Sequence, residues 1–544
     1  MRRWNGWGDT QTDYHLPNSA LKYLENFIGA GVRTPDADFE QVVAAVPTSR
    51  LLEHPLIDSD KSVRLLHARG QSLPDWVALR SGQVDSFPDG VAFPRDRSEV
   101  AALIQWACIN QCQVIPYGGG TSVVGHINPI QGAVPVLTID MAQLSDLIDF
   151  DKISLLATFG AGIPGPHIEQ LLNQRGYTLG HFPQSFELST LGGWVASRSS
   201  GQQSFYYGRI EDLFAGGHVE TPQGSLELPA QPASAAGPDL KQFLLGSEGR
   251  IGVITQATVR VSPLPEKENF YGVFFHEWEA GMQAVREIAQ SHLRVSMARL
   301  SDAQETDTNL RLSGKDNLVK VAKRGLNLLN YGDGRCLLIL GISGDHTSTR
   351  LTKQQAFHII RKHGCFFTGQ TIGKIWEKSR FLTPYLRNTL WDHGYAVDTL
   401  ETALPWSKVK DAAQETVQSI HQAISQMGEK ALVFSHLSHF YKDGASFYVT
   451  YLFRLSSDPD ETLQRWKRMK EAASQVIIKH AGTISHQHGI GLDHLGYLKA
   501  EKGLLGLKVL QDTFQSLDPM GIMNPGKLVG NPDVIEQEGI DVGK

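Results

Sequence analysis

Apolar and polar positions alternate along the 544-residue chain in stretches of distinct texture. Residues 1–85 mix short helical patterns with proline and polar residues. Only Phe39, Val42, Val43 and Val46 share one face at helical spacing, so this stretch reads as an extension packed on a larger body. From 86 to 265 strands and helices alternate. A short strand over Asp89–Pro94 precedes a helix expected to start at Ser98 and to bury Val100, Leu103, Ile104 and Ala107. The strand Gln113–Pro116 then runs into Gly118-Gly119-Gly120-Thr121-Ser122. Pro166 opens a helix carrying Ile168, Leu171 and Leu172, and Gly176 closes it. The β-branched run Val253–Val261 stops at Pro263 and Pro265, which mark a domain boundary.

The alternation resumes from 266 to 480. Phe270–Phe275 and Cys336–Ile342 predict strands; Trp278–Ser291 and Thr352–Lys362 predict helices. Ala445–Leu455 has strict period two. Phe447, Val449, Tyr451, Phe453 and Leu455 fall on one face, with Tyr448, Thr450 and Arg454 on the other. A helix over Asp460–His480 ends at Gly482. The pattern is that of an α/β to α+β protein, without repeats or low-complexity segments.

At this length two or more domains are expected. The net charge of −6, from 51 Lys+Arg against 57 Asp+Glu, excludes nucleic acid as the main partner. Four cysteines make no disulfide framework. Cys108 and Cys112 read as i, i+4 on one helix, and buried thiols are the preferred reading over a metal site. The N-terminus lacks the apolar core of a secretory signal, and no eighteen apolar residues run together. The expectation is a soluble, cytoplasmic protein without a membrane span.

Three glycines after a strand leave backbone N–H groups free to form a phosphate-binding nest, with Thr121 and Ser122 adding hydroxyls. A plain flexible turn is the alternative. The pattern is neither a Rossmann fingerprint nor a Walker loop. Two further small-residue loops, Phe182–Gly201 and Gly246–Thr255, suggest backbone wrapped around a large, flat, phosphorylated ligand. Asn524-Pro525-Gly526-Lys527 is a turn that could return to the same place.

These motifs, strand–Gly-Gly-Gly-Thr-Ser, Ser189-Thr190-Leu191-Gly192-Gly193-Trp194, Gly246-Ser247-Glu248-Gly249 with Gly252-Val253-Ile254-Thr255, and Asn524–Lys527, resemble the vanillyl-alcohol-oxidase (PCMH) type of FAD proteins. Arg3-Trp4-Asn5-Gly6-Trp7-Gly8 is similar to the opening of one group within it, the alkyldihydroxyacetonephosphate synthases. The resemblance implies a helical N-terminal extension (1–85), a two-subdomain FAD-binding domain (86–265), an α+β cap domain for substrate (266–510) and a C-terminal segment (511–544) returning to the FAD site. It implies FAD contacts from Gly118, Gly119, Gly120, Thr121, Ser122, Val123 and Val124. Others come from Gln184, Ser185, Ser189, Thr190, Ser197, Arg198, Ser199, Ser200, Glu248, Gly249, Gly252, Val253 and Ile254. His181 would sit by the flavin, Arg299 in the active site, and Arg387 on the substrate phosphate. Tyr448 would be the general acid/base, with His486 and His488 in the family's histidine run.

Read from the residues alone, Tyr448 is a polar residue in an apolar strand, either catalytic or a tyrosine satisfying a carbonyl. An arginine fork suits a phosphate dianion, though spacing alone would single out neither Arg387 nor Arg299. His486 and His488 fall on one side of an extended segment and suit proton transfer; zinc is the alternative, without a carboxylate or cysteine to complete the site. Two positions depart from the synthases: Gln487 interrupts the three histidines, and Gln184 replaces an aspartate. Gln487-His488-Gly489 lies between the synthase pattern and the Glu-His-Gly of the related 2-hydroxyacid dehydrogenases.

Tyr117 and Thr121 flank the turn where covalent relatives place a histidine, so the FAD is expected to be non-covalent. The resemblance implies redox-neutral exchange of the acyl chain of acyl-dihydroxyacetone phosphate for a fatty alcohol, with flavin N5 as a covalent handle. The alternative is a dehydrogenase of glycerol 3-phosphate or a 2-hydroxyacid, with His488 as base; a flavin-binding scaffold is a third. Lys315, Lys320, Lys323 and Arg324 interleave with Leu318, Val319, Val321 and Leu326, either as a peripheral membrane contact or as a solvated helix. A homodimer is expected.

Overall fold

The computed structural model describes residues 2–312, 326 and 331–530. The basic stretch read as either a peripheral membrane contact or a solvated helix lies outside the described residues except for Leu326, which is buried in one cluster with Phe270 and Tyr331. No described helix is long and apolar enough to cross a membrane.

The first lobe holds two main sheets. In a four-stranded sheet, Gly90–Ala92 and Gln113–Tyr117 flank Val136–Asp140 in parallel, and Ile57–Asp58 adds an antiparallel edge. The helix Arg97–Ile109 covers it with Val100, Leu103, Ile104 and Ala107, all fully buried. Its cap is Asp96, whose carboxylate accepts from Glu99 N; Ser98 sits in the first turn and donates to Asp96. A carboxylate two residues upstream thus displaces the expected serine as cap. The helix stops at Ile109, so Cys112 lies beyond it and is not the i, i+4 partner of Cys108. Cys112 and Cys336 are buried, while Cys108 and Cys365 are partly exposed, and all four are free thiols.

The second sheet of this lobe is antiparallel, ordered 147–151, 156–160, 253–260, 214–221, 224–228. The helix near Pro166 spans Gly165–Asn173, and Gly176 follows it at φ +83°. After Pro263 the chain enters a seven-stranded antiparallel sheet, beginning with the strand Lys267–Phe275. Its spatial order is 365–367, 267–275, 336–344, 297–301, 431–440, 444–454, 395–405.

The strand Gly444–Arg454 divides the core from the cavity between the lobes. Phe447, Val449, Tyr451 and Phe453 are wholly buried on one face beneath the helices Trp406–Ser425 and Pro459–Lys479, leaving Tyr448 and Thr450 on the other. The helix expected from Thr352 starts at His346, because the Asp345 carboxylate caps it through the N–H groups of Thr347 and Ser348.

Residues 2–85 are tied into both lobes. Asn388 brackets Trp7, accepting from its N–H and donating to its carbonyl, and Trp76 lies fully buried against Trp391. At the other end, Met523 bridges Val114 in parallel, so the C-terminal turn lies beside the strand that feeds the glycine turn.

Candidate functional site

A cavity of about 450 Å³ lies between the lobes. Its first wall is made of loops. Gly118–Val123 leave the strand Gln113–Tyr117 and run under the loop 188–190. A Cβ on Gly119 would stand 1.8 Å from the Leu188 carbonyl oxygen, and one on Gly118 would stand 2.3 Å from Thr190 Oγ1. Gly120 has φ +65°, with Tyr117 filling the place of its Cβ. Glycine is required here by close approach as well as by conformation. Among the described residues, none accepts a hydrogen bond from the N–H groups of Gly118 to Val123. This unpartnered row at the cavity wall fits the pyrophosphate of a dinucleotide.

Gln184, Ser185, Ser189, Thr190, Ser197, Ser199 and Ser200 line the same wall, as do Glu248, Gly249, Gly252, Val253 and Ile254. Glu248 does more than line it. Its carboxylate accepts from Ile490 N at 2.6 Å and Gly491 N at 2.9 Å, and so ties this lobe to the histidine segment. Asn524 donates to the carbonyls of Glu248 and His126, holding the C-terminal turn to the site. Buried Lys527 donates to the Asn128 carbonyl, and burial, with Arg250 and Arg69 nearby, pushes its ammonium down to about 7.

Four expected residues do not reach the cavity. Val124 is buried beneath the turn. Arg198, at φ +57°, reaches outward to Gln242. His181 is fully buried behind Ser199, to whose hydroxyl it bonds at 3.1 Å, and lies against Trp194. Burial, reinforced by Arg209, presses its imidazole down to about 3. His486 is buried behind the opposite wall.

That second wall belongs to the seven-stranded sheet and to the helix Thr383–Asp392. Tyr448 sits between Glu401 and His436 on the neighbouring strands, in register with both. Its hydroxyl donates to Thr399 Oγ1 at 2.9 Å and lies 3.4 Å from His488 Nε2, and its ring stacks on His436 at 5.1 Å. Burial raises its phenol well above the usual 10, so it stays protonated at neutral pH. Burial also lowers His488, which is therefore a neutral acceptor. Arg299 pairs with Glu305 at 2.7 Å and reaches His436 Nδ1 at 3.2 Å.

Arg387 projects from its helix over the face of Trp76, 4.3 Å from the ring centroid, and donates through Nη1 to the Gln71 carbonyl. Its Nε and Nη2 are sealed from solvent and without partners. Burial lowers this guanidinium to about 10, still cationic at neutral pH. Arg387 lines the cavity as a buried cation with spare donors, a chemistry that suits an anion.

The histidine segment is not extended as expected. Residues 485–488 curl around the buried carboxylate of Glu401, whose Oε1 accepts from the N–H groups of His486, Gln487 and His488 at 3.0, 2.7 and 2.9 Å. Burial alone would raise Glu401; His488, His486 and the Gln487 N–H hold it well below the usual range. The curl separates the two imidazoles: His488 faces the cavity and Tyr448, while His486 faces Tyr441 and His439. Among the described residues, no group of three or more His, Cys, Asp or Glu is placed to hold a metal.

Sequence reasoning missed Glu401, Thr399, His436 and His439, which lie on the strands Tyr395–Pro405 and Ala431–Phe440. The available signal was a run of β-formers interrupted by carboxylates or imidazoles three residues apart, Asp398 with Glu401 and His436 with His439.

A glycine-and-serine cradle facing an acid–base wall across one cavity defines a FAD-linked flavoenzyme of the two-domain oxidase class. Family models agree: residues 88–228 match the FAD binding domain, and 264–528 match the C-terminal domain of FAD linked oxidases. A Dictyostelium discoideum alkyldihydroxyacetonephosphate synthase is 30% identical, across 97% of this chain and 93% of the relative. The Trypanosoma brucei brucei synthase is 28% identical over 97% and 92%. A solved alkyldihydroxyacetonephosphate synthase structure superposes with TM-score 0.84 at 29% identity, covering 97% of this chain and 99% of that one. The chain belongs to the alkyldihydroxyacetonephosphate synthase family and is a FAD-dependent enzyme.

Proposed function

We propose that the protein exchanges the acyl chain of an acyl-dihydroxyacetone phosphate for a fatty alcohol, forming an ether lipid precursor. The observation that carries this reading is the meeting of Arg387, Tyr448 and His488 on one wall, opposite the glycine cradle. The unpartnered edge of Arg387 binds the substrate phosphate and sets the distance from that phosphate to the reacting carbon. When bound, FAD would supply an electrophilic centre beside the substrate carbon. Tyr448, protonated, and His488, neutral, form an acid–base pair 3.4 Å apart. Together they move protons to and from the substrate at the tyrosine hydroxyl and His488 Nε2. Thr399 fixes the direction of the tyrosine hydroxyl. Arg299, held by Glu305, adds positive charge to this wall.

The flavin is held non-covalently by Gly118–Val123 and the serine loops. The substrate is a small-molecule lipid phosphate, and the enzyme works as a homodimer. Gln487, which lines the cavity with Oε1 unpartnered, favours a second reading, dehydrogenation of a hydroxyl substrate. A fatty alcohol labelled with ¹⁸O separates the two. Exchange places the label in the ether oxygen of the product, and label left wholly in unreacted alcohol contradicts it.

A further inference from the structure

Behind Tyr448 a line of ionisable groups leads away from the cavity. Nδ1 of His488 lies 3.9 Å from Glu401 Oε1. On the other side of the same carboxylate, Oε2 lies 3.4 Å from His486 Nδ1. His486 Nε2 is 2.5 Å from the hydroxyl of Tyr441, which is partly exposed in the turn between the strands Ala431–Phe440 and Gly444–Arg454. Arg209 braces this end by donating to the His486 carbonyl at 2.7 Å.

Glu401 and His486 are buried, and three facing atoms (His488 Nδ1, Glu401 Oε2 and His486 Nδ1) are sealed from solvent without a well-formed hydrogen bond. Buried polar groups are ordinarily satisfied, so three in one line require an explanation. A purely structural carboxylate would be explained by Oε1 alone, which already takes three backbone N–H groups. The second oxygen instead points at an imidazole. Each imidazole can accept a proton on one ring nitrogen and release one from the other. A carboxylate between two of them is a conduit, with a 3.9 Å step at the His488 end.

We infer that Glu401, His486 and Tyr441 form a proton exit from His488 to solvent. The inference rests on the exchange reading for its purpose. In that reaction the ester carbon–oxygen bond breaks and its electron pair leaves on the carboxylate. The alcohol oxygen makes the new bond and loses its proton. No electrons are gained or lost, and one proton per turnover must leave the site. His488 takes it at Nε2 and yields another from Nδ1 to Glu401. His486 carries it from Nδ1 to Nε2, and Tyr441 receives it as its own proton passes to water. Glu401 and His486 are positioning and relay residues; neither meets the substrate.

Two measurements on the holoenzyme test this. Tyr441→Phe removes the exit hydroxyl at the surface end. Its kcat for fatty acid release should fall about 10-fold with KM unchanged, and added imidazole should restore it. A kcat close to wild type, or a loss that imidazole leaves untouched, overturns the relay. The second measurement needs no substrate. In protein labelled with ¹⁵N at the histidine rings, Tyr441→Phe should shift the His488 ring nitrogens when Glu401 is present. It should not shift them in the Glu401→Gln background, where the backbone N–H groups keep an acceptor. Equal His488 shifts in both backgrounds, or none in either, overturn the relay. A His488 shift confined to the Glu401 background, in an enzyme that releases no fatty acid, overturns the exchange reading alone.

Discussion

The hydroxyl of Tyr448 donates to Thr399 Oγ1 at 2.9 Å and stands 3.4 Å from Nε2 of His488. This contact joins the middle of a β-strand to a loop forty residues later, and both groups are held in complementary protonation states by burial. Tyr448→Phe keeps the ring stacked on His436 and removes only the hydroxyl. Turnover should fall about 100-fold or more while flavin content and melting temperature stay at wild-type values. Near-normal turnover would remove Tyr448 from the mechanism.

Arg387 offers two unpartnered nitrogens because Trp76 and the Gln71 carbonyl hold the rest of its guanidinium. Lysine cannot reproduce that edge. Arg387→Lys should raise KM for the phosphorylated substrate about 10- to 100-fold, the equivalent of roughly 1.4–2.8 kcal/mol. Its kcat should change less. Steady-state kinetics decide it, and an unchanged KM would place the phosphate elsewhere.

Gly119→Ala puts a methyl group 1.8 Å from the Leu188 carbonyl oxygen, backbone that cannot swing aside. Overpacking of this kind costs about 1–3 kcal/mol, or about 5- to 150-fold in flavin affinity. The ratio of flavin to protein absorbance after gel filtration measures the loss. Gly132→Ala, with nothing within 4 Å of the added carbon, is the control and should retain its flavin. Acid precipitation of the wild type should release the flavin into the supernatant, as a non-covalent cofactor requires.

His181 carries the clearest pH signature. Its folded pKa is pressed to about 3, against 6.5 for the unfolded chain. Between those values the unfolded state binds a proton that the folded state does not, so stability falls as pH drops below 6.5 and the loss is complete near 3. The slope contributed is about 1.4 kcal/mol per pH unit. Denaturant titrations of wild type and His181→Gln between about pH 6 and 4.5 should differ by that slope, and identical slopes would show that His181 is protonated in the folded protein.

What could be read in the sequence was what local chemistry specifies. The strand over residues 444–454 was legible because five apolar side chains alternate without a break. The glycine turn was legible because only glycine fits where Leu188 and Tyr117 crowd the backbone. The curl of residues 485–488 was not, because its cause is Glu401, more than eighty positions away. A buried carboxylate needs donors, and it takes them from the nearest backbone whatever conformation that segment prefers alone. For the same reason His486 and His488, adjacent by spacing, end on opposite sides of one carboxylate.

In the exchange reaction the flavin ends each turnover in the oxidation state in which it began it. Anaerobic mixing of the holoenzyme with acyl-dihydroxyacetone phosphate and a fatty alcohol, followed at once by flavin absorbance and fatty acid release, tests this directly. The predicted result is repeated fatty acid release with the oxidised flavin spectrum restored after substrate is consumed. Lasting bleaching by glycerol 3-phosphate or a 2-hydroxyacid, with no fatty acid released from the ester, would contradict it.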